Sequence, residues 1–224
     1  MKKLIITSII LTMSFTINAQ SWWNSKKVRG NGKMTTEVRK TSNYDAVSSA
    51  GNFDVKLVPG KEGKITLNGE ENLMKYVITE VKKFVVTVPY RDIEKVALAG
   101  SGDITNSGTI KAEDFKVALA GSGDIKLTLS TGNVKTSIAG SGNVNLNGNS
   151  DSLVCSIAGS GDVNAYGLST KSTSVSVAGS GNVKTTVSES IKARVAGSGT
   201  IYYKGKPDKI DSKSNGSGRI VSRN

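Results

Sequence analysis

The sequence predicts an all-β protein: a right-handed parallel β-helix-like solenoid with repeats of about 19–20 residues, GSG corners and one short helix in its N-terminal part. Three observations support this prediction. The hexapeptide AGSGDI at Ala99 returns in six further versions, the last of which is NGSGRI at Asn215. The first glycines of the seven copies are separated by 21, 19, 19, 20, 18 and 19 residues. Apolar residues alternate with polar ones around each copy, with the period of two that is typical of strands.

The first residues have the features of a secretory signal peptide, which we assign to residues 1–19. Lys2 and Lys3 precede the mostly apolar stretch 4–17, and Ala19 lies at a plausible cleavage region. A membrane anchor is the alternative, but it needs about 18 or more apolar residues, whereas this stretch is shorter and contains Thr and Ser. We therefore expect export to the periplasm or the outer cell surface, with no transmembrane helix in the mature chain. The polar segment 20–39 is expected to be a flexible leader.

Residues 40–94 are expected to form an N-terminal β portion of the same domain. The segment 44–57 reads as a degenerate first copy of the repeat, with AGNFDV in place of AGSGDI. Residues 64–67 and 84–88 predict further strands, because they alternate and are rich in β-branched residues. The segment 69–76 is the best helix candidate, since acidic residues fall in its first turn and Lys75 near its end.

Residues 95–224 form the GSG-repeat portion of the domain. When the copies are aligned on their glycines, the positions two and four residues before the corner are apolar in most copies, which predicts two columns facing the solenoid interior. Cys155 takes one of these positions, and as a lone cysteine it is expected to act as a small buried hydrophobe. An antiparallel meander is one alternative fold. A β-propeller is another, but its repeats need about 40–50 residues. The two columns are Leu98, Leu119, Ile138, Ile157, Val177, Val195 and Val96, Val117, Thr136, Cys155, Val175, Ala193.

The corner residues have a structural explanation. Glycine adopts positive φ easily and has no Cβ where stacked corners crowd together. The residue after each GSG would form a ladder along the stack, in which Asp and Asn bind local backbone and Asn can link to the next coil. The predicted corner glycines are Gly100, Gly102, Gly121, Gly123, Gly140, Gly142, Gly159, Gly161, Gly179, Gly181, Gly197 and Gly199. The predicted ladder is Asp103, Asp124, Asn143, Asp162 and Asn182.

Several longer segments together resemble a known family. These are YDAVSSAGNFDVKLVPG, ITLNGEENLMKYVITEV and the junction VPYRDIEKVALAGSGDI, followed by the repeated GSGD or GSGN turns. They are similar to the DUF2807 family, also called the auto-transporter adhesin head GIN domain, which is common in Bacteroidetes. The resemblance covers roughly residues 40–220. It implies an exported, all-β, β-helix-like protein and supplies no enzymatic activity.

Composition argues against most catalytic chemistry. The chain has no His and one Cys, which removes the usual triads, His general bases and thiolate zinc clusters. The GSG runs lack the GK[ST] ending and the following helix of a phosphate loop. Asp103 and Asp124 are too few for a calcium site, so we expect no metal and no cofactor. As adjacent carboxylates they could serve a polysaccharide lyase or hydrolase, which remains the enzymatic alternative.

Charge offers the better functional hypothesis. The formal net charge is +12, which favours anionic partners such as an acidic polysaccharide or envelope component, without indicating a specific nucleic acid. Four lysines lie three residues before members of the interior column that begins with Leu98, and they should point outward. They are Lys95, Lys116, Lys135 and Lys192. They could bind an anionic polymer, or they could simply keep the sheet soluble. The leading hypothesis is a non-catalytic envelope or surface binding module; a purely structural envelope protein is a further alternative, and oligomerisation is possible.

Overall fold

The computed structural model describes residues 29–76 and 85–224. The predicted signal peptide, residues 20–28 of the predicted leader and residues 77–84 lie outside this range. The strands are β1 Met34–Lys40, β2 Ala46–Gly51, β3 Asp54–Pro59, β4 Lys64–Glu70, β5 Val85–Tyr90, β6 Lys95–Gly100, β7 Ile104–Asn106, β8 Ile110–Gly121, β9 Asp124–Gly140, β10 Asn143–Gly159, β11 Val163–Gly179, β12 Val183–Gly197, β13 Thr200–Lys204, β14 Lys209–Asn215 and β15 Arg219–Ser222. A 3₁₀ helix spans Glu71–Tyr76.

Successive repeats pair in parallel, which confirms the predicted solenoid. Strands β9, β10 and β11 each run for 17 residues and lie side by side with β12. Between β9 and β10, Asp124 faces Asn143 and Gly140 faces Gly159. Because equivalent residues of adjacent repeats face one another, each column of the sequence alignment becomes a physical column along the stack.

Aliphatic side chains fill the interior. Every member of the two predicted columns is at most 3% exposed, and this includes Cys155 at 1%. Ile104, Ile125 and Val144 begin a third column after the corner, and all three are fully buried. Burial of each Val, Leu or Ile contributes about 1.5–3 kcal/mol relative to its exposure. Repetition of these small contributions along the stack therefore takes the place of an aromatic core.

Each corner packs closely on the one before it. Gly140 has a φ of +134°, and a Cβ at this position would lie 2.4 Å from the carbonyl oxygen of Gly121. That oxygen accepts hydrogen bonds from the backbone N–H groups of Ser141, at 2.9 Å, and Gly142, at 3.0 Å. A side chain larger than hydrogen would therefore push the two corners apart and break both bonds.

The degenerate copy AGNFDV forms the first coil, as predicted. Gly51 pairs in register with Gly100, and Val55 pairs with Ile104. A Cβ at Gly102 would lie 2.0 Å from the carbonyl oxygen of Phe53, in the preceding coil. Within the described chain β2 pairs with β6 alone. No earlier corner packs against Phe53 within the described chain. This first coil therefore has room for a large residue at a position where later copies require glycine.

Strands β5, β4 and β1 extend the sheet beyond the first coil. β5 lies parallel to β3, β4 lies antiparallel to β5, and β1 lies antiparallel to β4. The strand predicted at residues 64–67 is confirmed by β4. The strand predicted at residues 84–88 is confirmed by β5 for its described residues, 85–88. The expectation of a flexible leader does not hold for residues 34–39, because β1 pairs there with β4. The predicted helix is a 3₁₀ helix that buries Leu73 and Met74.

No helix within residues 29–76 and 85–224 combines the length and apolar character needed to cross a membrane.

Candidate functional site

The outer side of one face carries the predicted lysines. We call the strands that lead into the GSG corners the first face, and those that follow the corners the second face. Lys95, Lys116 and Lys135 lie in register on β6, β8 and β9 and are exposed. Neighbouring strands lie about 4.8 Å apart, so the three lysines form a stripe about 10 Å long. Val154 and Ser174 occupy the same position in the next two coils.

The three adjacent lysines, which we call the lysine stripe, form no ion pair within the described residues, and Asp114 is the acidic side chain two residues before Lys116 on the same side of β8. Among the described residues, ion pairs involve other side chains, and no carboxylate lies within 4 Å of the stripe. Lys192 has a different environment. The two coils between it and Lys135 carry no lysine at this position, and Lys192 faces Asp211 in register. The hydrogen bond from Arg194 is the main cause that lowers the pKa of Asp211, and the charge of Lys192 adds to it. The structure thus brings three of the four lysines together and places the fourth beside a carboxylate.

A shallow trough of small side chains runs beside the lysine stripe, between it and the corners. It encloses about 630 Å³ and spans six coils. Its outward positions are Ser48, Ala97, Ala118, Ser137, Ser156 and Ser176 in one column and Ala50, Ala99, Ala120, Ala139 and Ala158 in the next. Arg194 takes the equivalent position one coil after Ser176 and bounds the trough there. This surface was not predicted from the sequence, although the recurrent Ala before each corner glycine indicates small outward side chains there.

The ladder residues bind backbone from coil to coil. Asp103 Oδ1 accepts the N–H of Asp124 at 3.1 Å, and Asp124 Oδ1 accepts the N–H of Asn143 at 3.2 Å. The ladder starts one coil earlier than predicted, since Asp54 Oδ1 accepts the N–H of Asp103 at 3.0 Å. The AGNFDV copy carried the signal for this position.

A second part of the ladder joins the later coils. Asp162 Oδ1 accepts the N–H of Asn182 at 2.7 Å, and Asn182 Oδ1 accepts that of Thr200 at 3.0 Å. Asn143 and Asn182 also donate their side-chain amides to the carboxylates of Asp124 and Asp162. The ladder oxygens thus satisfy main-chain donors at the corners, where Asp and Asn are interchangeable as acceptors.

Chemically reactive groups are scarce in residues 29–76 and 85–224. No group of three or more His, Cys, Asp or Glu side chains is placed there to hold a metal ion. Burial raises the pKa of the Cys155 thiol to about 12, so this group is not available as a thiolate near neutral pH.

Several solved structures share this fold. One is described as a "putative adhesin" from Bacteroides fragilis NCTC 9343, with a TM-score of 0.80, 19% identity, and coverage of 88% of this chain and 100% of that one. A second, from Parabacteroides distasonis ATCC 8503, is described as a "putative lipid binding protein", with a TM-score of 0.71, 22% identity and coverage of 87% and 98%. A third is a "putative adhesin" from Parabacteroides merdae ATCC 43184, with a TM-score of 0.70, 22% identity and coverage of 88% and 99%. At these identities the likeness shows the fold alone.

A search among curated proteins finds no match. A family model, in contrast, matches residues 81–207, which is more than half of the chain and includes six of the seven GSG corners. The matched residues contain most of the periodic, parallel stack described above. The chain belongs to the DUF2807 family, whose description is "Putative auto-transporter adhesin, head GIN domain".

Proposed function

We propose that the protein is an exported, non-catalytic binding module of the cell envelope or surface, which contacts anionic polysaccharides through the lysine stripe. The observation that carries the proposal is the registered, exposed set of Lys95, Lys116 and Lys135, with no carboxylate among the described residues within ion-pair distance. The family's description as an adhesin head supports the binding class.

The spacing of the lysine stripe suits a polymer better than a single ion. Ammonium groups recur once per coil, about every 4.8 Å, which is comparable to the length of one sugar unit in an extended polysaccharide. A chain that bears a carboxylate or sulfate on successive units could therefore meet one lysine per unit. Each contact of this exposed kind contributes only about 0.2–1 kcal/mol, so repetition along the stripe is needed for useful affinity.

The neighbouring trough supplies a place for the polymer backbone. Its Ala and Ser side chains leave the sheet surface flat, so a ribbon-like chain can lie close to the strands while its anionic groups reach the lysine stripe. Lys192 adds less to this site, because Asp211 faces it and Arg194 bounds the trough there.

The hydrogen bonds of Asp103 and Asp124 support the proposal that the module is non-catalytic. Each offers Oδ1 to a main-chain N–H of the next coil, a role that Asn182 fills in a later coil. Both carboxylates therefore act as structural hydrogen-bond acceptors. A general acid and a general base need different surroundings that separate their pKa values, and these two carboxylates have similar ones. If Asp103→Asn and Asp124→Asn abolished turnover of an acidic glycan, the polysaccharide-active alternative would replace our proposal.

The test compares two triple variants with equal loss of charge. In the first, Lys95, Lys116 and Lys135 become Gln. In the matched control, the exposed Lys56, Lys111 and Lys126, which lie outside the lysine stripe, become Gln. Polygalacturonate binding is measured by calorimetry at two salt concentrations, with dextran as the neutral polymer.

We expect the stripe variant to lose about 0.6–3 kcal/mol, or about three- to a hundredfold in affinity, and the control to lose far less. Binding by the unaltered protein should weaken as salt rises, because exposed charges are screened over about 8–10 Å. Equal losses in the two variants would refute the stripe as the site. Retention on anionic phospholipid vesicles without any polygalacturonate binding would refute the polysaccharide as the ligand.

A further inference from the structure

Two tyrosines and three cations gather on the outer side of the second face, in the last coils of the stack. We call this group the aromatic–cationic cluster: Tyr166, Lys184, Tyr202, Lys204 and Arg223. Lys184 and Tyr202 lie side by side in register on β12 and β13. The Nζ of Lys204 lies 4.5 Å from the centre of the Tyr166 ring, and the Cζ of Arg223 lies 5.0 Å from the centre of the Tyr202 ring.

The backbone holds these side chains in place. The hydroxyl of Thr186 donates to the carbonyl oxygen of Tyr166 at 2.9 Å, and the N–H of Arg223 donates to the carbonyl oxygen of Tyr203 at 2.8 Å. Tyr202 and Lys204 are alternate residues of β13 and lie on the same outer side of the sheet. The two ring–cation pairs are therefore neighbours and form one surface.

The tyrosines of this cluster differ from those near the start of the solenoid. The hydroxyl of Tyr44 donates to the carbonyl oxygen of Pro89, and that of Tyr90 to the carbonyl oxygen of Ser107. No hydrogen bond within the described chain engages the hydroxyl of Tyr166 or Tyr202. These hydroxyls are free to bind another molecule.

The charge of the surface is one-sided. The ladder that carries Asp or Asn in earlier coils continues as Thr200 and Arg219 beside the cluster. In the registered outward positions of β12, β13 and β15 that flank the two tyrosines, no Asp or Glu occurs. A guanidinium that lies over an aromatic ring still presents its N–H edge, which matches a carboxylate in two parallel hydrogen bonds. An anion bound here would meet three cations and no opposing charge from these positions.

We propose that the aromatic–cationic cluster is a binding site for a single uronate unit, that is, a sugar bearing a carboxylate. Arg223 binds the carboxylate, Lys184 and Lys204 add attraction, and the tyrosines supply ring surface and hydroxyl groups to the sugar. This site lies on the second face, and it is separate from the lysine stripe on the first face. It does not depend on the function proposed above.

The test uses trigalacturonate and the neutral galactose trimer, with binding measured by calorimetry. Arg223→Gln should weaken trigalacturonate binding about tenfold or more, since it removes a charged hydrogen-bonding partner. Tyr202→Leu should weaken it about fivefold, and Tyr202→Phe should retain most of the ring contribution. The matched control is Lys126→Gln, which removes one charge from the same outward column of the second face several coils away.

We expect the neutral trimer to bind at least tenfold more weakly than trigalacturonate, and the Lys126→Gln control to leave binding unchanged. Equal binding by Arg223→Gln and Lys126→Gln would overturn the proposal, as would equal affinity for the two trimers. Thermal unfolding of each variant is recorded in parallel; lower stability with unchanged trimer binding would show that the cluster only stabilises the stack. Because trigalacturonate can also bind the lysine stripe, every titration is made in the triple Gln variant of the stripe, where the aromatic–cationic cluster is the remaining proposed site. Failure here leaves the stripe proposal untouched, and failure of the stripe test leaves this one untouched.

Discussion

Replacement of Gly140 by alanine should destabilise the solenoid far more than the same change at Gly63. Both glycines have positive φ, +134° and +106°, but their surroundings differ. A Cβ at Gly140 would lie 2.4 Å from the carbonyl oxygen of Gly121, whereas at Gly63 the nearest atom, the carbonyl oxygen of Thr41, would be 3.9 Å away. The pair therefore separates the cost of corner stacking from the cost of backbone conformation.

The expected magnitudes follow from these contacts. A left-handed conformation costs an alanine about 1–2 kcal/mol relative to glycine, and Gly63→Ala should cost no more than this. At Gly140 the shift also breaks the bonds that the Gly121 oxygen accepts from Ser141 and Gly142, at about 0.5–1.5 kcal/mol each. The total is about 2–5 kcal/mol. For a chain of this size each kcal/mol lowers Tm by about 2–4 °C, so we expect a decrease of about 10 °C for Gly140→Ala and about 4 °C for Gly63→Ala.

The assay is thermal unfolding of both variants and the unaltered protein, followed by far-ultraviolet circular dichroism at one scan rate. Urea unfolding gives an independent ranking. If Gly140→Ala proved no more damaging than Gly63→Ala, close contact between stacked corners could not be the reason for the glycine repeat.

Three further substitutions test the interior and the ladder. Thr136→Val should stabilise the protein by about 1 kcal/mol, because the Thr136 hydroxyl is buried without a hydrogen-bond partner; a lower urea midpoint would contradict this. Cys155→Val should matter little at neutral pH. Above pH 9 the unfolded thiol ionises while the folded one, with its pKa raised to about 12, does not, so the unaltered protein loses stability as pH rises. Cys155→Val should then be the more stable by about 2–3 kcal/mol at about pH 10.5, and parallel pH profiles would refute the assignment. Asp124→Asn should be within about 0.5 kcal/mol of the unaltered protein, whereas Asp124→Ala should cost about 1 kcal/mol because the N–H of Asn143 loses its acceptor; equal urea midpoints would contradict the ladder role.

Repetition made much of the fold readable. In a parallel stack, the residue that lies beside Leu119 is Ile138, its equivalent in the next copy. Sequence alignment of the copies therefore reproduces spatial contact, and period-two alternation separates the interior from the exterior. The same logic identified the degenerate first coil and the burial of Cys155. It also placed Lys95, Lys116 and Lys135 in one column.

The logic fails where copies are not equivalent. β1 is polar in sequence, and only its antiparallel pairing with β4 makes it a strand, because that pairing joins segments with no repeat relation. Lys192 falls in the lysine column by alignment, but its charge is offset by Asp211 from a later coil.

The aromatic–cationic cluster shows the same limit. Tyr166 and Lys204 share one alignment position, seven residues after the first corner glycine of their copies, but they lie two coils apart. Only the structure shows that the Lys204 ammonium reaches the Tyr166 ring. The sequence by itself determined the period, the interior columns and the glycine corners, because each repeat encodes them locally. The tertiary structure alone decided which outward side chains gain partners from outside the repeat pattern, such as Asp211 beside Lys192, because non-equivalent strands and insertions between copies bring in residues that no alignment column contains.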